Sequence, residues 1–146
     1  MMSPHRRRTV PSNASDLRIA VMRLARRLRT ERASDTLTPS QLAVLATLVR
    51  EGPLCPGDLA AAERVQPPSM TRILNSLQSA GMVSRTKHPS DGRHVLYAAT
   101  EPAEELVIRD RERRDNWLSH QLQELSPQER ATLEAAIPVL NRLALG

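Results

Sequence analysis

Residues 67–99 read PPSMTRILNSLQSAGMVSRTKHPSDGRHVLYAA, and the change of period inside this stretch decides the fold. In its first half Met70, Ile73, Leu74 and Leu77 recur at three and four residues, the spacing of one helical face. Pro67-Pro68 opens that helix and Gly81 closes it near Ala80. The period then falls to two. Residues 82–87 and 94–99 alternate and are β-prone, and His88-Pro89-Ser90-Asp91-Gly92-Arg93 between them is rich in turn formers. A helix running straight into a β-hairpin is the expectation.

Upstream, residues 56–64 form a shorter helix with Leu59 and Ala60 turned inward, joined to the next by Val65-Gln66. Two short helices across such a turn read as a helix-turn-helix, and the hairpin behind them adds a wing. A further helix precedes the pair. Thr38 is its N-cap, Pro39 its first residue and Gln41 the third, followed by Leu42, Leu45, Ala46, Leu48 and Val49 and stopped by Gly52-Pro53.

Longer helices flank this block. From Ser15, Leu17, Val21, Leu24 and Leu28 form a narrow stripe opposite Arg18, Arg26 and Arg29, ending near Ser34-Asp35. Thr100 caps a helix over residues 101–124 bearing Leu106, Val107, Trp117, Leu118 and Leu122. Ser126-Pro127-Gln128-Glu129 is a capping box for a last helix with Leu133, Ala136, Ile137, Leu140 and Leu143. Pro138 should kink that helix or end it near Ile137. The fold class expected is mainly α with a small antiparallel β-hairpin wing: a winged helix-turn-helix with N- and C-terminal dimerisation helices. Residues 1–14 read as a disordered basic arm, 35–100 as the DNA-binding domain, and 15–34 with 101–146 as the dimerisation region.

Composition narrows the function. The 146 residues carry 40% hydrophobic and 25% charged side chains, suited to one globular domain. Cys55 is the single cysteine, which excludes an internal disulfide and all-cysteine metal sites. Tyr97 and Trp117 are the only aromatics, too few for the stacking platforms of single-strand binders. Residues 42–49, the longest apolar run, are too short for a membrane span, and no secretory signal leads the chain, so the cytosol is expected. His5, His88, His94 and His120 show no metal-ligand spacing, and no phosphate loop or nucleophile elbow appears. Neither metal, cofactor nor catalysis is expected. The net charge of +5 hides a gradient: +7 over residues 1–33, +1 over 34–100 and −3 over 101–146. A basic end on a compact domain points to a polyanion.

The helix over residues 67–80 presents Pro68, Arg72, Asn75, Ser76 and Ser79 opposite its apolar face, with Ser69 and Thr71 alongside. Such a short polar face suits the major groove. Arg72 is matched to guanine and Asn75 to adenine or a phosphate, with Ser69 and Thr71 near phosphate or a thymine methyl. In the hairpin, Lys87 lies on the rising arm and Arg93 near the tip, where a minor groove attracts guanidinium. Asp91 is expected to brace Arg93 or Arg85, or to make the turn.

The chain resembles the MarR family of bacterial transcriptional regulators over residues 16–143. The likeness rests on Leu37-Thr38-Pro39-Ser40-Gln41-Leu42-Ala43-Val44-Leu45, on Asp58-Leu59-Ala60, on the run from Met70 to Val83, and on Asp91-Gly92-Arg93 with Leu96 and Thr100. The resemblance implies a dimer whose paired recognition helices and Arg93 wings bind DNA. It also implies control by a small, phenolic or lipophilic anion, for which Arg23, Arg26 and Trp117 are candidate pocket residues. Pro67-Pro68 departs from the polar residues usual in the family and removes two backbone donors from the helix start.

A dimer also follows from the stripes themselves. Leu17, Val21, Leu24, Leu28, Leu118, Leu122, Leu133, Ile137, Leu140 and Leu143 exceed what a small winged helix needs to cover its own core. Two protomers would set their recognition helices about one DNA turn apart, requiring a palindromic double-stranded operator. The function expected is a dimeric, sequence-specific regulator, a repressor released by its ligand. Two rivals are a thiol-based oxidant sensor through Cys55 and a winged-helix protein-interaction module.

Overall fold

The computed structural model of the chain describes residues 10–32 and 36–146. The elements in order are α1 (Val10–Thr30), α2 (Pro39–Glu51), α3 (Pro56–Glu63), α4 (Pro67–Ser79), β1 (Val83–Lys87), β2 (Val95–Ala99), α5 (Glu101–Gln123) and α6 (Pro127–Leu145). They divide into two compact units. One is Arg32–Arg113; the other is the described part of Met1–Glu31 with Arg114–Gly146.

In the Arg32–Arg113 unit the expected caps form. Thr38 Oγ1 accepts from Gln41 N at 3.2 Å, and Gln41 Oε1 accepts from Thr38 N at 2.8 Å. Gly52 ends α2 at φ 85°, a conformation that favours glycine. α3 ends less comfortably, on Arg64 in the left-handed region (φ 54°, ψ 44°), a turn that leads within three residues to α4. Gly81 follows α4 at φ 73°, with Met82 N bonding Leu77 O and Gly81 N bonding Gln78 O, a Schellman ending.

The strands pair antiparallel with Val83 opposite Ala99 and Lys87 opposite Val95. Leu54, in the loop before α3, adds an antiparallel bridge to Tyr97, with Leu54 N to Tyr97 O at 3.0 Å and Tyr97 N to Leu54 O at 2.9 Å. Thr100 clamps the base of the hairpin to the end of α4, its hydroxyl donating to Gly81 O at 2.7 Å and its N–H to Met82 O at 3.0 Å.

The core lies inside this unit. Leu42, Val44, Leu45 and Leu48 of α2, Leu59 and Ala60 of α3, and Met70, Leu74 and Leu77 of α4 are buried with Leu37, Val83 and Tyr97. Ala103, Leu106 and Val107 of α5 are buried with them. Each fully buried Leu or Met contributes roughly 1.5–3 kcal/mol of apolar transfer. The first half of α5 therefore packs with the winged helix, and the compact units change over at Arg113, beyond the boundary read at residue 100.

The second unit differs in kind. α6 starts on the expected capping box, Glu129 N to Ser126 Oγ at 3.1 Å and Ser126 N to Glu129 Oε2 at 2.8 Å, yet it contains no buried residue. Arg130 donates to Leu122 O and Leu125 O, tying its first turn to the end of α5. Arg114 Nε donates to Leu28 O at 3.3 Å, linking α5 to α1.

Three boundaries depart from expectation. α1 begins at Val10, inside the stretch read as a disordered arm, because Pro11 falls in the first turn, where a missing N–H costs nothing. Residues 1–9, the rest of that arm, lie outside the described residues. α1 also stops at Thr30, before Ser34-Asp35, which lie outside the described residues as well. α6 runs through Pro138 to Leu145, so of the two outcomes expected of that proline, a kink or an end near Ile137, the end does not occur. Pro138 deprives only the Glu134 carbonyl of its helical donor, and Glu134 is exposed, where solvent can satisfy such a group.

Candidate nucleic-acid interface

The candidate surface grows from the packing of α4. Met70, Leu74 and Leu77 face the core, which leaves Pro68, Thr71, Arg72, Asn75 and Ser76 exposed along the other side; Ser69 is half-buried. Among the described residues neither the Arg72 guanidinium nor the Asn75 amide has a protein partner, so both are free to bond a ligand. Two hydroxyls are engaged. Thr71 Oγ1 donates to Pro67 O at 3.1 Å, and Ser76 Oγ accepts from Gln41 Nε2 of α2 at 2.9 Å.

The start of α4 is poor in donors. Pro67 and Pro68 have no N–H, Met70 N is bonded to Gln66 O, and the N-cap Gln66 makes no side-chain cap. One N–H of the first turn, that of Ser69, remains outside the helix ladder. Anion binding by this terminus is correspondingly weak, so the polar side chains carry the surface.

In the wing, Lys87, Asp91 and Arg93 are all exposed. Of the roles expected for Asp91, the structure realises the turn: Oδ1 accepts from Arg93 N at 3.1 Å, and Oδ2 lies 3.4 Å from His94 Nε2. No ion pair to the guanidinium of Arg93 or Arg85 accompanies it among the described residues, so Arg93 keeps its full donor set for a partner. His88 Nδ1 accepts from Ser90 N at 3.1 Å, bracing the opposite side of the loop. A cleft of about 410 Å³ between the wing and the start of α3 is lined by Cys55, Asp58, His88, Arg93 and His94. Cys55 is the half-buried N-cap residue of α3 and makes no side-chain capping bond.

Of the residues read as a ligand pocket, Trp117 is half-buried, while Arg23 and Arg26 are exposed on α1. The arginine stacked on Trp117 is their neighbour Arg27, 4.5 Å from the ring centroid and also paired with Glu31 at 2.7 Å. Arg27 is four residues from Arg23 and shares its face of the helix, and only contact across to α5 separates the two. Sequence reasoning also missed the second bond of Gln41. Its capping role is local and legible, whereas Ser76 lies 35 residues away. Among the described residues no group of three or more His, Cys, Asp or Glu side chains is arranged for a metal ion, and no helix is long and apolar enough to cross a membrane.

A sequence model of the MarR family matches residues 37–95, the block from before α2 into β2. An HTH-type transcriptional regulator of Mycobacterium tuberculosis is 47% identical over 127 residues, 87% of this chain and 89% of its own length. One from Mycobacterium leprae is 45% identical, covering 89% and 91%. Among solved structures, a Pseudomonas aeruginosa protein is 35% identical with a TM-score of 0.81, covering 91% of this chain and 94% of that one. A mutant of MepR from Staphylococcus aureus, solved bound to an oligodeoxyribonucleotide, shares the fold at a TM-score of 0.68 and 19% identity, covering 90% and 97%. Fold and surface together define a winged helix-turn-helix transcriptional regulator that binds DNA. The chain belongs to the MarR family.

Proposed function

We propose that the protein acts in the cytoplasm as a homodimeric repressor that reads a palindromic operator and releases it on binding a small, lipophilic or phenolic anion. One observation carries the dimer: α6 has no buried residue, yet Leu133, Ile137, Leu140 and Leu143 line it, and Leu17, Val21 and Leu24 of α1 are equally bare. Bare leucines in such number are covered in solution, and a two-fold axis lets the same stripes cover one another. Leu28, Leu118 and Leu122 are already half-buried in the single chain and extend the same surface.

In this arrangement Arg72 and Asn75 of each α4 read base edges in one half-site, flanked by Pro68, Ser69, Thr71 and Ser76. Arg93 enters the adjoining minor groove, Asp91 holds its loop, and Lys87 meets phosphate. Repression finds support in a Bacillus subtilis relative, the HTH-type transcriptional repressor MdtR, 26% identical over 91 residues. For release, an anion meets the cationic Arg23 and Arg26, whose neighbour Arg27 stacks on Trp117. A hundredfold loss of operator affinity requires about 2.7 kcal/mol of ligand preference for the non-binding geometry.

The test is selection of bound fragments from random duplex DNA at two salt concentrations, with sedimentation of the free protein. A palindromic consensus, steep salt dependence and a dimer are expected. A stable monomer, or fragments without two-fold symmetry, would refute the proposal.

A further inference from the structure

We propose that Gln41 fixes the hydrogen-bond polarity of Ser76, making it a donor toward the groove, so that Ser76 selects a base presenting an acceptor and disfavours cytosine. The inference rests on α4 being the helix that reads the major groove.

The amide of Gln41 has one satisfied orientation. Its Oε1 accepts from Thr38 N at 2.8 Å, and an amide nitrogen cannot accept, so Oε1 must be the atom on the Thr38 side. Nε2 is thereby turned to Ser76 Oγ, to which it donates at 2.9 Å. A serine hydroxyl has one proton to give, and with Gln41 supplying a donor that proton points away from α2. Among the described residues it has no acceptor, and Ser76 is exposed. The base edges that accept in the major groove are purine N7, guanine O6 and thymine O4, whereas cytosine presents an N4 amino donor.

Thr71 supplies the contrast on the same helix. Its proton is spent on Pro67 O at 3.1 Å, which leaves Thr71 an acceptor and a methyl to display. The capping box of α2 thus reaches across the helix-turn-helix to set the chemistry of one reading position, and Gln41 is a positioning residue acting through Ser76.

Gln41→Glu tests this by exchanging one NH₂ for oxygen. The carboxylate still accepts from Thr38 N, keeping the cap, but now accepts the Ser76 proton as well and turns a lone pair of Ser76 to the groove. Full-length wild type, Gln41→Glu and Ser76→Ala are each run through selection from random duplexes, with thermal melting as a control for folding. In wild type, one position of each half-site should disfavour cytosine by about tenfold, the worth of one hydrogen bond. Gln41→Glu should bring cytosine at least to parity there, Ser76→Ala should flatten the column, and the other columns should weaken only uniformly from the added charge. Should Gln41→Glu fail to fold, the Ser76→Ala column decides. Profiles of Gln41→Glu and wild type that superimpose after scaling, or an unchanged Ser76→Ala column, overturn the inference while leaving groove reading intact. Failure of wild type to enrich any sequence overturns the groove reading and this inference with it.

Discussion

The two compact units solve the same problem in opposite ways. Between Arg32 and Arg113, short helices and a small sheet converge on Leu45, Leu59, Met70 and Leu77, each fully buried within one chain. In α1 and α6, helices of 21 and 19 residues leave Ile137 56% and Leu143 65% exposed. The contrast is one of geometry. A unit of three helices, the first half of a fourth and a sheet covers apolar faces from several directions, whereas long helices with few neighbours expose whatever their own chain does not reach. The first unit buries its apolar side chains within one chain, and the second leaves a stripe of them exposed.

The sharpest way to break that comparison is to charge the bare stripe. Ile137→Asp combined with Leu140→Asp should give a monomer by sedimentation and lower affinity for a palindromic duplex by about a hundredfold or more, the avidity of a second linked reader. A dimer that persists would remove α6 from the interface. Next in size, Leu45→Ala should cost about 2–5 kcal/mol in denaturant unfolding, because it opens a cavity in a closed core. In the charged monomeric background, Leu143→Ala should change stability by no more than about 0.5 kcal/mol, since its side chain has nothing left to lose.

Within the Arg32–Arg113 unit, Arg72→Ala should cost about 1–3 kcal/mol in duplex binding and relax preference at one base position. Arg93→Ala should weaken all duplexes more evenly and reduce the salt slope by about one. A smaller effect belongs to the second unit: Arg27→Ala should cost about 0.5–1 kcal/mol, the worth of a cation–π contact with partial exposure. Trp117 is the only tryptophan, so increased iodide quenching of its fluorescence reports that loss directly.

How much was legible follows the range of each interaction. Thr38 with Gln41 and Ser126 with Glu129 act over three residues, and both capping boxes stand in the structure as the spacing predicts. The core face of α4 was readable from period alone. Pro11 misled, and so did Pro138 as a helix end, because proline's effect depends on whether a turn is the first and whether water can reach the orphaned carbonyl, and neither is local information. Long-range pairs were invisible: Gln41 with Ser76, Thr100 with Gly81, and Arg27 over Trp117 each need the fold before they exist. The exposed residues of α4 and the wing were nameable in advance; their hydrogen-bond states were not.

A free two-stranded hairpin is scarcely stable in water. Leu54 alters that by lending Tyr97 a second pairing partner beside Arg85, so the ribbon is sewn along one margin to the segment that launches α3. Its stiffness is set thirty-nine residues upstream of the arginine it carries. A proline or an insertion near Gly52-Pro53 would slacken the stitch and let Arg93 swing while the exposed side chains of α4 stayed in place.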